Sequence, residues 1–142
     1  MKITRKGAAV WQGGLEDGKG TVSTQSGALS EQRYGFSTRF GDEKGTNPEE
    51  LSAAAHAGCF TMALSKMLGE ADLTAERLQT AAEVTIEKVG EGIEITSIAL
   101  TLEGTVPGAS PEQFEELANA AKVGCPVSQL FKAPITLSVT LN

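Results

Sequence analysis

The spacing of apolar and polar positions divides the chain into segments of different period. The first third has short apolar stretches separated by glycine-rich turns, such as Gly13-Gly14. This spacing is typical of a β-meander. The strands that it predicts are Ala8–Trp11, Gly20–Thr24 and Tyr34–Phe40.

A helical pattern follows at Thr46-Asn47-Pro48-Glu49-Glu50. Asn47 suits the N-cap, Pro48 suits the first helical position, and the two acids face the helix dipole. We predict a helix from Pro48 to about Leu68, ending at Gly69. Its apolar and small residues nearly surround the axis, which predicts a buried central helix rather than a surface one.

Strand periodicity returns in the second half. Ala82–Lys88 alternates, and after a glycine turn the run Ile93–Val106 follows. The apolar phase of this run shifts along its length, so we expect a β-bulge near Ser97.

A second helix is predicted from Pro111, capped by Ser110, and is broken at Gly124-Cys125-Pro126. One more helical turn, Val127–Phe131, and a closing strand, Ile135–Leu141, complete the chain. Blocks of strands separated by two helices predict an α+β domain with a largely antiparallel sheet.

Composition restricts the class of protein. With 142 residues, of which 40% are hydrophobic and 21% charged, the chain is expected to form one globular domain over residues 1–142. The net charge of −6 argues against nucleic acid as a partner, because phosphate binding needs a basic face. The sequence contains neither an apolar run of membrane-spanning length nor the apolar stretch of a signal peptide. We therefore expect a cytoplasmic protein.

The chain has two cysteines, and in a reducing compartment these are rarely a structural bridge. Cys59 lies within the apolar helix, where composition alone favours an inert core thiol. His56, three positions earlier, could form a nucleophilic dyad with it. The more ordinary interpretation is that His56 is a polar residue on the helix surface.

Cys125 precedes Pro126 and stands at the predicted N-cap of a short helix, where backbone amides stabilise a thiolate. The alternative is that Gly-Cys-Pro merely breaks the helix. Two cysteines and one histidine fall short of the four ligands of a structural zinc site, although a carboxylate could complete one. We expect neither a metal nor another cofactor.

Arg39 is the third candidate, on the predicted strand Tyr34–Phe40. Most arginines are solvated, but a buried one needs a carboxylate. Glu49 and Glu50 are the best-placed acids, although acids at a helix start often only complement its dipole.

Several segments together resemble the OsmC/Ohr family. They are Arg39-Phe40, Gly45-Thr46-Asn47-Pro48-Glu49-Glu50-Leu51, Ala54-Ala55-His56-Ala57-Gly58-Cys59-Phe60 and Gly124-Cys125-Pro126-Val127-Ser128. The resemblance covers essentially the whole chain. It implies an intertwined homodimer whose mostly antiparallel sheets enclose long central helices, with two active sites at the interface.

The resemblance also implies a thiol-dependent peroxidase that reduces organic hydroperoxides to alcohols. By analogy, Cys59 matches the peroxidatic cysteine and Cys125 the resolving cysteine, while Arg39 and Glu49 match the charged pair that completes the site. A dithiol such as a lipoyl group is the implied reductant.

Helix geometry adds one expectation. Glu49 and Cys59 are ten residues apart, roughly 15 Å along one helix at about 1.5 Å per residue. An antiparallel pair of such helices around a two-fold axis would bring Glu49 of one chain to Cys59 of the other. The competing hypotheses are acyl transfer by a Cys59–His56 nucleophile and a non-enzymatic domain that binds small molecules.

Overall fold

A computed structural model describes all residues from Met1 to Asn142. The chain divides into two compact units, Met1–Leu51 and Ser52–Asn142. The strands are β1 Gly7–Gln12, β2 Lys19–Thr24, β3 Gln32–Tyr34, β4 Arg77–Val89, β5 Gly92–Thr105 and β6 Ile135–Leu141. The helices are α1 Phe36–Phe40, α2 Pro48–Glu70, α3 Pro111–Gly124 and α4 Pro126–Leu130. The α+β class is confirmed, while the single-domain organisation stays a prediction.

The first unit contains the predicted meander, an antiparallel sheet with the order β1-β2-β3. Gly20 pairs with Trp11 on one side and Tyr34 on the other. The rings of Trp11 and Tyr34 meet over it edge to face, with centroids 5.6 Å apart. A Cβ on Gly20 would lie 2.5 Å from the Tyr34 ring, so only glycine fits between these side chains.

The prediction of a strand over Tyr34–Phe40 is correct only for Tyr34. β3 ends at Tyr34, and Phe36–Phe40 forms the short helix α1. The buried Thr38 closes this turn, because its Oγ1 accepts from the Gly35 amide at 2.8 Å. The alternating aromatic residues imitate a strand, but the threonine and Gly35 set a helical turn. Arg39 therefore projects from a helix.

The helix α2 begins as predicted and extends slightly further than predicted. The Glu50 amide donates to Asn47 Oδ1 at 2.8 Å, which caps the helix. The expected burial on all sides does not occur within one chain. Only a stripe of every fourth residue is buried, namely His56, Phe60, Leu64 and Leu68, whereas Met62 is 77% exposed.

The second unit contains a sheet with the order β4-β5-β6. β4 and β5 form the predicted hairpin, and the predicted bulge is confirmed by a register shift between Thr85 and Ile86, opposite Ser97. β6 pairs with β5 in parallel, so this sheet is mixed. The sheets are still largely antiparallel, as predicted.

The core of the second unit lies between β5, the buried stripe of α2 and the apolar face of α3. α3 starts as predicted, because Ser110 Oγ accepts from the Gln113 amide at 3.1 Å. The largest buried side chains here are Phe60, Leu64, Leu68, Ile98, Leu100, Leu102 and Phe114. No helix of the chain is both long enough and apolar enough to cross a membrane.

Candidate active site

The second unit brings the two cysteines together. Cys59 Sγ and Cys125 Sγ lie 2.8 Å apart although the residues are 66 positions apart, and both thiols are free. Cys59 is half-buried in the middle of α2, whereas Cys125 is completely buried. Cys59 is therefore the more accessible of the two cysteines.

The break between α3 and α4 positions Cys125, as the Gly-Cys-Pro motif predicts. The Cys125 amide donates the last helical hydrogen bond of α3, to Ala121 O at 2.9 Å, and the extended backbone of Cys125 ends the helix. Cys125 is then the N-cap of α4, with Pro126 at the first helical position. The sulfur thus lies at the start of a helical turn whose first amides are unpaired within the helix.

The two thiols differ in acidity. Burial is the largest influence on Cys125 and raises its pKa, but interactions with the Cys59 thiol, with the amide and hydroxyl of Ser128 and with the Val127 amide outweigh it, so that the pKa is lowered. For Cys59, burial and the hydrogen bond with Cys125 raise the pKa, and the Val127 amide opposes them only in part. Cys125 is therefore the more acidic of the two thiols within one chain.

The first unit brings Arg39 and Glu49 together. Arg39 Nε lies 3.1 Å from Glu49 Oε1 and 3.2 Å from Oε2, and Nη2 lies 2.7 Å from Oε1. This fork fixes the guanidinium plane. Arg39 remains 38% exposed at its side chain, whereas that of Glu49 is 11% exposed. Glu50 instead accepts from the Thr46 hydroxyl at 2.8 Å, so the first of the two candidate acids is the partner of the arginine.

An aromatic pocket adjoins Arg39 in the first unit. It has a volume of about 230 Å³, and its walls include Trp11, Tyr34, Phe36 and Phe40. Arg39 lines the same pocket and lies over the Phe40 ring at 5.3 Å from its centroid. A cationic fork at the edge of an apolar cavity suits a ligand with a polar end and a bulky hydrocarbon end.

His56 is not the surface residue that the sequence predicts. It is completely buried, and its Nε2 lies 2.7 Å from Ser128 Oγ. Burial lowers its pKa, and its Nδ1 has no hydrogen-bond partner. The partner of His56 is thus Ser128 rather than Cys59, which removes the basis for a Cys59–His56 dyad.

The candidate residues accordingly form two groups, one in each unit: Arg39 with Glu49, and Cys59 with Cys125. Ser128 was given no role from the sequence, although it lies beside His56 and its hydroxyl helps to lower the pKa of the Cys125 thiol. A signal existed, because Ser128 is the third residue of the helix that Cys125 caps. Side chains at this position commonly reach back to the N-cap.

Comparison with known proteins identifies relatives of this chain. The family described as OsmC-like protein matches residues 41–140. The chain is 56% identical to peroxiredoxin OsmC of Escherichia coli K12, over 100% of this chain and 99% of that protein. It is 30% identical to the organic hydroperoxide resistance protein OhrB of Bacillus subtilis, over 70% of this chain and 72% of that protein.

Solved structures show the same fold. An organic hydroperoxide resistance protein from Elizabethkingia anophelis superposes with a TM-score of 0.76 at 26% identity, covering 100% of both chains. The structure of OhrB from Bacillus subtilis gives 0.69 at 26% identity, covering 99% of this chain and 98% of that one. The chain belongs to the OsmC-like protein family.

Proposed function

We propose that the chain is a thiol-dependent peroxidase that reduces organic hydroperoxides to alcohols. The observation that carries the proposal is the contact between two free cysteine sulfurs, 2.8 Å apart, of which one is accessible and the other buried. The names of the relatives, a peroxiredoxin and organic hydroperoxide resistance proteins, support the same chemistry.

The first step uses the accessible sulfur. The Cys59 thiolate attacks the terminal peroxide oxygen, the O–O bond breaks, and the alkoxide leaves and takes up a proton as the alcohol. Cys59 is thereby oxidised to a sulfenic acid. This assignment follows from access, because Cys125 is completely buried although it is the more acidic thiol.

The second step uses the buried sulfur. The Cys125 thiolate attacks Cys59 Sγ, the S–O bond breaks, hydroxide leaves, and the Cys59–Cys125 disulfide forms. The starting separation of 2.8 Å makes this step intramolecular and well oriented. A dithiol of the lipoyl type is the proposed reductant that reopens the disulfide, and the cytoplasm is the proposed compartment.

Arg39 and Glu49 supply the cationic part of the proposed site. A guanidinium beside Cys59 lowers the pKa of that thiol and stabilises the departing alkoxide. Glu49 holds the fork in place through the bidentate pair. We propose that this pair acts across a homodimer, so that each Cys59 is completed by the partner subunit's Arg39.

Two features support the homodimer. Glu49 and Cys59 are ten residues apart on the single helix α2, which is roughly 15 Å at about 1.5 Å per residue. One side of this helix also stays uncovered although it is apolar, with Met62 77% exposed. A two-fold axis that pairs antiparallel α2 helices covers this side and brings opposite ends of the helices together.

Trapping of the sulfenic acid tests the order of the thiols. After addition of cumene hydroperoxide, Cys125→Ser should form a dimedone adduct at Cys59, and Cys59→Ser should form none. The reverse pattern would exchange the two roles. Absence of adduct in both variants, together with no disulfide in the unaltered protein, would refute the peroxidase.

Sedimentation velocity coupled to an activity assay tests the assembly. We expect all hydroperoxide turnover to sediment with the dimer and to fall as dilution dissociates it. An active monomer would contradict the composite site but would leave the cysteine chemistry intact.

A further inference from the structure

A buried row of polar side chains leads away from the two sulfurs. His56 Nε2 lies 2.7 Å from Ser128 Oγ, and Ser128 is the third residue of α4, whose N-cap is Cys125. The Ser128 hydroxyl helps to lower the pKa of the Cys125 thiol. All three residues are buried, at no more than 7% exposure. They belong to α2 and α4 and the junction before α4, so the contact joins segments that are 72 residues apart.

The direction of these hydrogen bonds follows from the donors available. A serine hydroxyl has one proton, so it cannot donate to both the sulfur and the imidazole. If Ser128 donates to Cys125, then His56 must donate from Nε2 to Ser128 Oγ. Burial lowers the pKa of His56 and keeps the ring neutral, with one proton for its two nitrogens.

The unpaired atom supports the same direction. Nδ1 of His56 is buried and has no partner. If the proton is on Nε2, Nδ1 is an acceptor without a partner. If the proton is on Nδ1, that atom is a buried N–H donor without a partner. Buried donors without partners are the rarer case. Phe131 packs against the ring at 5.3 Å between centroids and fixes its plane.

We propose that His56 is a positioning residue for the resolving step: it holds the Ser128 hydroxyl so that this hydroxyl donates to the Cys125 sulfur and keeps it a thiolate that attacks the Cys59 sulfenic acid. The inference rests on the proposed peroxidase function. No proton crosses the row during the step, since the electron pair comes from the Cys125 thiolate and hydroxide leaves from Cys59.

The row matters because the sulfenic acid has two fates. It condenses with Cys125, or a second hydroperoxide molecule oxidises it to a sulfinic acid and is itself reduced to the alcohol. Faster attack by Cys125 raises the hydroperoxide concentration at which half of Cys59 becomes sulfinic. That concentration therefore reports the resolving step separately from the first oxidation.

The experiment compares four variants of the full chain with the unaltered protein: Ser128→Ala, His56→Leu, His56→Gln and the control Ser138→Ala. Ser138 is an exposed serine on β6. Glutamine is informative because its Nε2 amide can replace the imidazole donor. Each protein receives graded cumene hydroperoxide without reductant, and mass spectrometry measures disulfide and sulfinic acid at Cys59. Stopped-flow kinetics measures the first oxidation.

We expect Ser128→Ala and His56→Leu to lower the half-sulfinic concentration roughly tenfold, as expected for loss of a hydrogen bond to a charged group. The rate of the first oxidation should stay within about twofold, and His56→Gln and Ser138→Ala should resemble the unaltered protein. If Ser128→Ala folds poorly, the difference between His56→Leu and His56→Gln still tests the positioning role of His56.

The proposal would be overturned if His56→Leu had the same half-sulfinic concentration as the unaltered protein. It would also be overturned if His56→Gln and His56→Leu had equal half-sulfinic concentrations. Parallel losses in both steps would also overturn it, because they would indicate a purely structural role. Failure of the unaltered protein to form any sulfenic acid would instead refute the peroxidase itself, and the positioning role with it.

Discussion

The cysteine pair joins residues 66 positions apart in a buried region, whereas the Arg39–Glu49 pair joins residues ten positions apart and leaves the arginine 38% exposed. The first pair depends on the packing of α2 against the α3–α4 junction and is complete within one chain. The second needs only α1 and the start of α2. An ion pair whose arginine is partly exposed contributes little to stability, about 0–1 kcal/mol, so we propose that the Arg39–Glu49 fork holds the guanidinium in position for a ligand.

The sharpest way to test this difference is complementation between inactive variants. Cys59→Ser lacks the nucleophile, and Arg39→Ala lacks the cation, which should cost on the order of 10²–10³ in the rate of the first oxidation. If the partner subunit's Arg39 serves each Cys59, a mixed dimer has one intact site and one doubly defective site. Mixing the two variants after partial unfolding and refolding should therefore restore activity.

The control for complementation is a mixture of Cys59→Ser with the double variant Cys59→Ser/Arg39→Ala, which lacks Cys59 in every chain and should stay inactive. If Cys59→Ser mixed with Arg39→Ala also stays inactive although mixed dimers form, Arg39 serves the cysteine of its own chain.

A charge on the uncovered side of α2 should dissociate the proposed dimer and leave the cysteine pair of each chain intact. Met62→Asp places a carboxylate where the proposed dimer buries a methionine, and burial of an unpaired charge is strongly unfavourable. We expect sedimentation to shift to the monomer and hydroperoxide turnover to fall with it. Disulfide formation by diamide should persist, because the cysteine pair lies within one chain.

The matched control is Ala120→Asp, which adds the same charge at an exposed position of α3. It should leave the dimer and the turnover unchanged. A dimeric, fully active Met62→Asp would show that this side of α2 is not the interface.

Both regions are only partly predictable from the sequence, and the reason is the range of the interactions. The Asn47 cap, the Ser110 cap and the Gly-Cys-Pro break are set by neighbouring residues, so they are predicted well. The segment Phe36–Phe40 is mispredicted because its alternating aromatics imitate a strand, while Thr38 closes a helical turn.

Residues with distant partners are the ones that the sequence leaves open. The burial of His56 depends on Ser128, 72 positions away, and nothing near His56 indicates it. The parallel pairing of β6 with β5 likewise arises from the path of the chain through α3 and α4. The roles of Cys59, Cys125, Arg39 and Glu49 stay predictions.

The aromatic pocket beside Arg39 should make the substrate preference depend on Phe36. We expect faster reaction with cumene hydroperoxide than with hydrogen peroxide, because the aryl group gains from burial. Phe36→Ala removes one apolar wall, worth about 1–2 kcal/mol, so the rate with cumene hydroperoxide should fall roughly tenfold.

In Phe36→Ala the rate with hydrogen peroxide should stay unchanged, since this substrate has no hydrocarbon group to bury. Rate constants for both peroxides from competition kinetics provide the measurement. Equal rate constants for the two substrates in the unaltered protein would contradict a role for the pocket.

The smallest expected effect is a pH dependence of stability that involves the cysteine region only. His56 is the single histidine, and burial lowers its pKa below the ordinary value of 6.5. The unfolded chain therefore binds a proton at His56 as the pH falls through about 6.5, while the folded chain resists it. The free energy of unfolding should decrease from this pH downward and should be unaffected above it.

Urea unfolding at pH 7.5 and pH 5.5 measures this loss of stability. His56→Gln should show a smaller decrease, and because all carboxylates titrate in both proteins, the difference isolates the histidine. An identical decrease in both proteins would contradict the assignment.

The closeness of the two sulfurs has a consequence for the biology of the protein. Closing the gap from 2.8 Å to the roughly 2.05 Å of a disulfide takes a side-chain movement of less than an ångström. The reduced and oxidised proteins then present nearly the same surface to other macromolecules. So small a change suits the proposed peroxidase, which consumes peroxide, better than a sensor that signals by a change of shape.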